Sequence, residues 1–262
     1  MRRMIAVLCA AVLLLGLCAC TVKPAVPSST AEPSTEPPTT EPSTTEATEP
    51  TTTEPPTTGP PEPYVVRDSF AWVYPATSGT FWALAFSIVE NTGSENLFLD
   101  YGSMVLTDDN GRTVGKIDSV SAYPQILAPG KVGYYCDVIA LDIGEVQHLN
   151  VEFSAPIEET QKSAQRYSTS ELELTDTEFG GMLLEGVVTN FTEETSGLVC
   201  VSAILYDKDK APAGFICGYL EDPLEPGESA EFSFESFMLP SYLKWEDVSN
   251  YKVYAYNLEK GP

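Results

Sequence analysis

Residues Thr80–Asn91 read TFWALAFSIVEN, the clearest β-strand pattern in the chain. Large apolar side chains recur at every second position, at Trp82, Leu84, Phe86 and Ile88, and smaller residues stand between most of them. Because successive side chains of a strand point to opposite faces of a sheet, this alternation predicts a strand with one bulky apolar face. No segment of the sequence sustains the 3.6-residue apolar period of an amphipathic helix, so an all-β fold is predicted.

The pattern around this strand occurs a second time in the chain. Ser87–Asn91 aligns with Gly186–Asn190 at an offset of 99 residues, and Leu127–Lys131 aligns with Leu224–Glu228 at an offset of 97. Two copies of some ninety residues, each with about seven short strands, have the size of immunoglobulin-like sandwiches. We therefore predict two tandem immunoglobulin-like β-sandwich domains, at 64–155 and 167–262. The residues between them, 156–166, are predicted to be a polar linker that forms at most a short helix.

The second copy carries motifs that resemble a known family. Residues 185–190 read EGVVTN, 203–209 read AILYDKD, and 224–232 read LEPGESAEF. These motifs resemble the FxLYD-type domain, a family of bacterial and archaeal surface modules, although Ala203 stands where that family has its first aromatic residue. The first copy lacks the Leu-Tyr-Asp signature and is similar to the broader group of Ig-like lipoprotein domains. The resemblance implies a sandwich fold and no catalytic activity.

The N-terminus has the pattern of a secretory signal peptide. Arg2 and Arg3 precede an apolar run of 13 residues, Ile5–Leu17, which is shorter than the ~20 residues that a transmembrane helix needs. The following residues, LCAC, resemble the lipobox of bacterial lipoproteins. That resemblance implies a signal peptide at 1–19, a diacylglycerol on Cys20 that holds the chain to the lipid bilayer, and a location on the extracellular face of the bacterial cell membrane. An ordinary secreted protein that is cleaved nearby is the alternative.

The next segment has the composition of a disordered stalk. Residues 21–63 contain twelve prolines, thirteen threonines and seven glutamates, with few apolar side chains. Such a segment buries too little surface to offset the entropy of ordering it. Its prolines favour the extended polyproline II conformation, so residues 20–63 are predicted to be a lipidated cysteine followed by a spacer.

Charge and composition narrow the chemistry. The formal net charge of −24 would repel phosphate backbones, which disfavours nucleic-acid binding. His148 is the single histidine, so a multi-histidine metal site is excluded. The acidic turns at 108–110 and 207–209 invite a calcium hypothesis, but neither has the spacing of an EF-hand loop. We predict no metal, no cofactor and no catalytic residues.

Three cysteines, Cys136, Cys200 and Cys217, follow the predicted lipid attachment site. If a hairpin turns around Lys208 and Asp209 with a two-residue loop, Cys200 faces Cys217 and the two form a candidate disulfide. Pro212 argues against that register, because it has no N–H to donate to the ladder. Two interpretations stay open, a disulfide or a pair of ordinary strand cysteines.

These features indicate a non-catalytic cell-surface lipoprotein that presents Ig-like modules for adhesion, scaffolding or protein binding. Its partner would be an unknown surface protein or glycan, recognised by loops on a rigid scaffold. The alternative is a carbohydrate-binding or envelope-enzyme accessory module. For that alternative, Trp72 and Trp245 would belong to a sugar-stacking platform, whereas alternation along the strands favours packing for most of the aromatic residues.

Overall fold

The computed structural model describes residues 62–76, 79–144, 148–164, 167–178, 180–236, 239–240 and 243–258. The predicted signal peptide, the lipid attachment site Cys20 and the stalk up to residue 61 lie outside this range. All described residues belong to one unit of the chain, Thr57–Pro262. Within them, no helix has the length and apolar character needed to cross a membrane.

The described residues form an all-β fold, as predicted. The strands of the first module are β1 (Tyr64–Pro75), β2 (Phe81–Asn91), β3 (Asn96–Leu99), β4 (Gly102–Thr107), β5 (Thr113–Val120), β6 (Ala122–Tyr123), β7 (Ile126–Leu127), β8 (Val132–Leu141), β9 (Asn150–Ser154) and β10 (Ile157–Thr160). Those of the second are β11 (Tyr167–Asp176), β12 (Met182–Asn190), β13 (Val199–Tyr206), β14 (Pro212–Tyr219), β15 (Ser229–Ser236) and β16 (Asn250–Asn257), with a 3₁₀ helix at Trp245–Asp247.

Antiparallel sheets build each sandwich. In the first module, a sheet of order β1-β2-β8-β6 and a sheet of order β5-β4-β9 enclose an apolar core, and a small sheet of order β10-β3-β7 extends it. In the second module, the sheets β11-β12-β15 and β14-β13-β16 enclose the equivalent core. Val199, Val201, Ala203 and Leu205 of β13 face this second core, as their alternation predicts.

The predicted linker is partly wrong. Its residues Ile157–Thr160 form strand β10, which pairs with β3 in the first module. Ile157 packs against the first core, and this one apolar contact anchors a segment that is otherwise polar. The sequence pattern is weak here and the partner strand β3 lies some sixty residues away in the sequence, so local alternation does not reveal this pairing.

A third apolar core joins the two sandwiches. The small residues of β2, such as Ala83 and Ala85, face the first sandwich core, whereas its bulky residues Leu84 and Phe86 face the sheet β14-β13-β16 of the second module. Ile204 of β13 meets them there, and all three bulky side chains are fully buried. Burying a side chain of this size stabilises the structure by ~1.5–3 kcal/mol. Both faces of β2 and of β13 are therefore core faces.

Hydrogen bonds also tie the sandwiches together across this junction core. The indole Nε1 of Trp72 donates to the Pro212 carbonyl at 2.8 Å. The hydroxyl groups of Tyr134 and Tyr206 form a hydrogen bond with 2.7 Å between their oxygen atoms. In addition, the Tyr256 hydroxyl donates to the Ala122 carbonyl at 3.1 Å. These bonds satisfy polar groups that would otherwise be costly to bury.

The internal repeat extends to individual hydrogen bonds. Asn91 ends β2, Asn190 ends β12, and both side chains are fully buried. Each side-chain amide donates two bonds that hold the strand end to a neighbouring loop. The acceptors are the carbonyls of Glu95 and Leu127 for Asn91, both at 2.8 Å, and those of Glu194 and Leu224 for Asn190, both at 2.9 Å.

Candidate functional site

The three cysteines lie on strands that meet in the junction core. Cys136 is on β8 of the first module, whereas Cys200 and Cys217 are on β13 and β14 of the second. The Sγ atoms of Cys200 and Cys217 are 3.6 Å apart, and both residues are free thiols. A disulfide has an S–S distance of about 2.05 Å, so the observed separation is that of a thiol contact.

The register expected for this hairpin is wrong by two residues. Cys200 lies opposite Tyr219, and Cys217 lies opposite Ser202. The cause is a longer turn, in which the Asp207 N–H donates to the Ala211 carbonyl and Lys210 has a positive φ of 65°. The two cysteines are consequently diagonal neighbours. The sulfur atoms still meet, and their pairing as a disulfide stays a prediction.

The two thiols differ in acidity. A hydrogen bond with Cys217 and burial both raise the pKa of Cys200 far above its ordinary value. The same hydrogen bond lowers the pKa of Cys217, with further hydrogen bonds from Tyr123 and Tyr219 acting in the same direction. Burial raises the pKa of Cys136 well above its usual range. Cys217 is therefore the more acidic of the two paired thiols.

The aromatic residues considered for sugar stacking lie mostly in the cores. Trp72, Tyr254 and Tyr256 pack in the junction core, and Trp72 is further held by its bond to Pro212. Trp245, by contrast, is 54% exposed on the 3₁₀ helix. The Trp72 indole is engaged between the sandwiches, so packing accounts for Trp72 and Trp245 is the more exposed residue of the predicted pair. The sugar-stacking alternative stays a prediction.

The acidic turns use their carboxylates to hold their own backbone. Oδ1 of Asp108 accepts bonds from the N–H groups of Asn110 and Arg112, and Oδ1 of Asp207 accepts equivalent bonds from Asp209 and Ala211, all at 2.9–3.0 Å. In the part of the chain that the structure describes, no group of three or more His, Cys, Asp or Glu side chains is arranged to hold a metal ion.

Two further polar residues have structural surroundings that explain them. His148 lies in the loop before β9, where its Nδ1 is 3.6 Å from Oδ1 of Asp109 and both side chains are exposed. Asn190, which begins a glycosylation-like Asn-Phe-Thr sequence, is fully buried with its amide in use. That burial makes the amide inaccessible to modification.

A groove between the two modules was not foreseen from the sequence. It has a volume of about 380 Å³ and runs along β16, between that strand and the segment 124–132 of the first module. Lys131 and Lys252 line it, and none of its described lining residues is an aspartate or a glutamate. In the sequence, the only trace of this groove is the pair Lys131 and Lys252 in a strongly acidic chain. Because the two lysines are 121 positions apart, the sequence does not show that they lie together.

No described carboxylate pairs with the ammonium groups of this groove. Neither Lys131 nor Lys252 forms a salt bridge with a described residue. Nζ of Lys252 lies 4.8 Å from the centre of the Tyr254 ring, a cation–π contact that holds the side chain along the groove. Burial lowers the pKa of Lys252, and the nearby Lys131 lowers it further.

Neither a protein-family model nor a curated protein matches the chain. Among solved structures, it is similar to a calcium-binding mutant of Bacteroides uniformis β-glucuronidase 2, at 14% identity over 71% of this chain and 26% of that chain, with a TM-score of 0.22. A β-glucuronidase from glycoside hydrolase family 2 is similar at 10% identity over 62% of this chain and 20% of that chain, with a TM-score of 0.20.

The chain spans about a quarter or less of the length of these enzymes. TM-scores this low carry no argument about activity. The sandwich fold is assigned here from the strand pairing and the apolar cores of the chain itself.

Proposed function

We propose that this chain is a non-catalytic surface lipoprotein whose two fused sandwiches form a binding head. In this proposal Cys20 carries the lipid, residues 21–63 are a spacer, and the head faces outward for adhesion, scaffolding or protein binding. The junction core is the observation that supports it best. It fixes the loops of both modules in one frame, and loops held on a rigid scaffold are the usual carriers of recognition.

The tasks of the polar side chains also favour binding over catalysis. The carboxylates of Asp108 and Asp207 cap their own turns, and the amide of Asn190 closes a strand end. Cys217 has a lowered pKa, but it lies in the junction core, where a substrate would have to displace packed side chains. These groups therefore serve the fold in this proposal.

The binding head is tested with the full-length chain, purified in detergent and used to capture proteins from the envelope fraction of its own organism. Ile204→Asp places a charge in the junction core, where Ile204 is fully buried. Val66→Asp is the matched control, because Val66 is 41% exposed on β1. We expect the control to retain the wild-type partner and Ile204→Asp to lose it. Capture of the same partner by both variants, or of none by the wild type, would contradict a rigid binding head.

The lipid anchor is tested separately in cells. Cys20→Ala should release the protein from the membrane fraction into the medium and abolish incorporation of a radiolabelled fatty acid. Cys18→Ala is the matched control, because it leaves the residue proposed to carry the diacylglycerol intact. Unchanged membrane association of Cys20→Ala would show that the chain is held in another way.

A further inference from the structure

The groove between the modules runs along an open sheet edge. β16 is the outermost strand of the sheet β14-β13-β16, and its other side faces the groove. The Leu258 N–H donates to the Leu198 carbonyl, so the backbone groups of Leu258 point toward β13. Alternate residues of an antiparallel strand point their backbone groups to opposite sides, so the even-numbered residues of β16 face β13 and the odd-numbered ones face away from it. Val253 and Ala255 accordingly direct their N–H and C=O groups into the groove, where no described strand pairs with them.

One residue of β16 shows how such an edge is satisfied without a partner strand. The N–H of Tyr251 has the same parity as those of Val253 and Ala255, and it is bonded to Oδ1 of the adjacent Asn250 at 2.9 Å. The residues that precede Val253 and Ala255 are Lys252 and Tyr254. Neither has a short side chain with an acceptor oxygen like that of Asn250, so neither can satisfy the following backbone N–H. The backbone of an extended peptide has C=O and N–H groups that can pair with the N–H and C=O groups of Val253 and Ala255.

Charge identifies the kind of peptide. Lys131 and Lys252 line the groove with no carboxylate among its described residues, although the chain has 38 acidic and 14 basic side chains. The fold itself does not require these lysines. Glu228 occupies the position of Lys131 in the other copy of the repeat. Glu152 occupies that of Lys252, because Val105 pairs with Glu152 where Ile204 pairs with Lys252.

We propose that β16 binds an extended acidic peptide by strand addition, with carboxylates of the peptide at Lys131 and Lys252. Main-chain hydrogen bonds to Val253 and Ala255 give affinity, and the two ammonium groups select glutamate or aspartate side chains. This inference rests on the protein-binding part of the proposed function and narrows it to one surface and one class of partner.

The test uses the full-length chain in detergent and calorimetric titration with a seven-residue peptide in which glutamate alternates with valine. Three matched probes separate the contributions: the same peptide with glutamine for glutamate, the same peptide with alternate backbone nitrogens methylated, and an acidic sugar oligomer. We expect the glutamate peptide to bind, the glutamine peptide to bind about 5-fold or more weakly, as for an exposed ion pair of ~1 kcal/mol, and the methylated peptide not to bind.

Variants of the chain locate the site. Lys131→Glu introduces the residue found in the other repeat, and Lys252→Met keeps the length of the side chain without its charge. Each should weaken binding of the glutamate peptide about 5-fold, again as for a single exposed ion pair. Lys116→Gln is the control, because Lys116 lies in an exposed salt bridge with Asp118 outside the groove, and it should leave binding unchanged.

Several results would overturn the inference. Equal binding of the methylated peptide would exclude strand addition, and equal binding of the glutamine peptide would exclude selection by charge. Binding of the acidic sugar in place of the peptide would make the groove a glycan site, and failure of every probe would remove the assignment. If the envelope capture succeeds while the peptide fails, only the assignment to β16 falls, because the proposed binding head does not depend on this groove.

Discussion

Asp108 shows how a single carboxylate stabilises a turn of the first module. Backbone donation from Arg112 lowers the pKa of Asp108, and further bonds from Asn110 and from the Arg112 guanidinium act in the same direction. A carboxyl whose pKa is lower in the folded state contributes stability at pH values above its unfolded pKa of about 3.9, and this contribution is lost as the pH falls through the folded pKa.

Asp108→Asn should therefore be less stable than the wild type at pH 7, and the difference should close as the pH falls below about 4. Urea unfolding of both proteins between pH 7 and pH 2 measures it. Asp207→Asn is the matched control, because Asp207 caps the equivalent turn with Ala211 in the place of Arg112. A stability difference for Asp108→Asn that is the same at every pH would contradict a role for its charge.

Cys200 and Cys217 carry a second prediction at the scale of residues. Their sulfur atoms need to approach by about 1.5 Å to reach bonding distance, and Cys217 is the more acidic thiol. We expect protein recovered from the extracellular side under oxidising conditions to contain the Cys200–Cys217 disulfide, detected by peptide mapping before and after reduction. Cys136→Ser should leave the disulfide intact. A disulfide that joins Cys136 to either of the others would contradict this pairing.

Strand ends are the elements that the two modules share most closely. The buried amides of Asn91 and Asn190 each donate two bonds to loop carbonyls, so replacing the amide breaks one buried and one partly buried hydrogen bond. Asn91→Ala and Asn190→Ala should each reduce the free energy of unfolding by about 2–4 kcal/mol. Asn91→Asp keeps the acceptor that binds the Gly93 N–H but loses both donated bonds, and it should also be destabilised. Wild-type stability of Asn91→Asp in denaturant unfolding would contradict the importance of the donated bonds.

Local sequence patterns predict where the individual strands lie better than they predict which strands pair with each other. The alternation in β2 and β13 and the repeated Asn-containing strand ends are visible in the sequence because each depends on neighbouring residues. The length of the turn after Asp207 depends on side-chain capping and on a positive φ at Lys210, which a count of residues does not reveal. The pairing of Ile157–Thr160 with β3 depends on contacts made some sixty residues away.

At the scale of the whole molecule, the sequence predicted two sandwiches and missed that they are joined. Alternating strands indicate one buried and one solvated face, but both faces of β2 and β13 are apolar enough to be buried. Bulky residues such as Phe86 and Ile204 on the second face were the available signal. The groove at β16 follows from this joining, because its two lysines come from different modules.

Joining the sandwiches through an apolar core predicts that they unfold together. Ile204→Asp should separate them, because burying an unpaired carboxylate in the junction core is strongly unfavourable and the Ile204 packing contacts are lost as well. Calorimetry of the full-length wild type should show one folding transition for the head, and Ile204→Asp should show two, one for each sandwich. Val66→Asp, on an exposed position of β1, should retain a single transition. Two transitions in the wild type would mean that the junction core adds too little free energy to couple the modules, and the rigid head proposed for binding would fall with it.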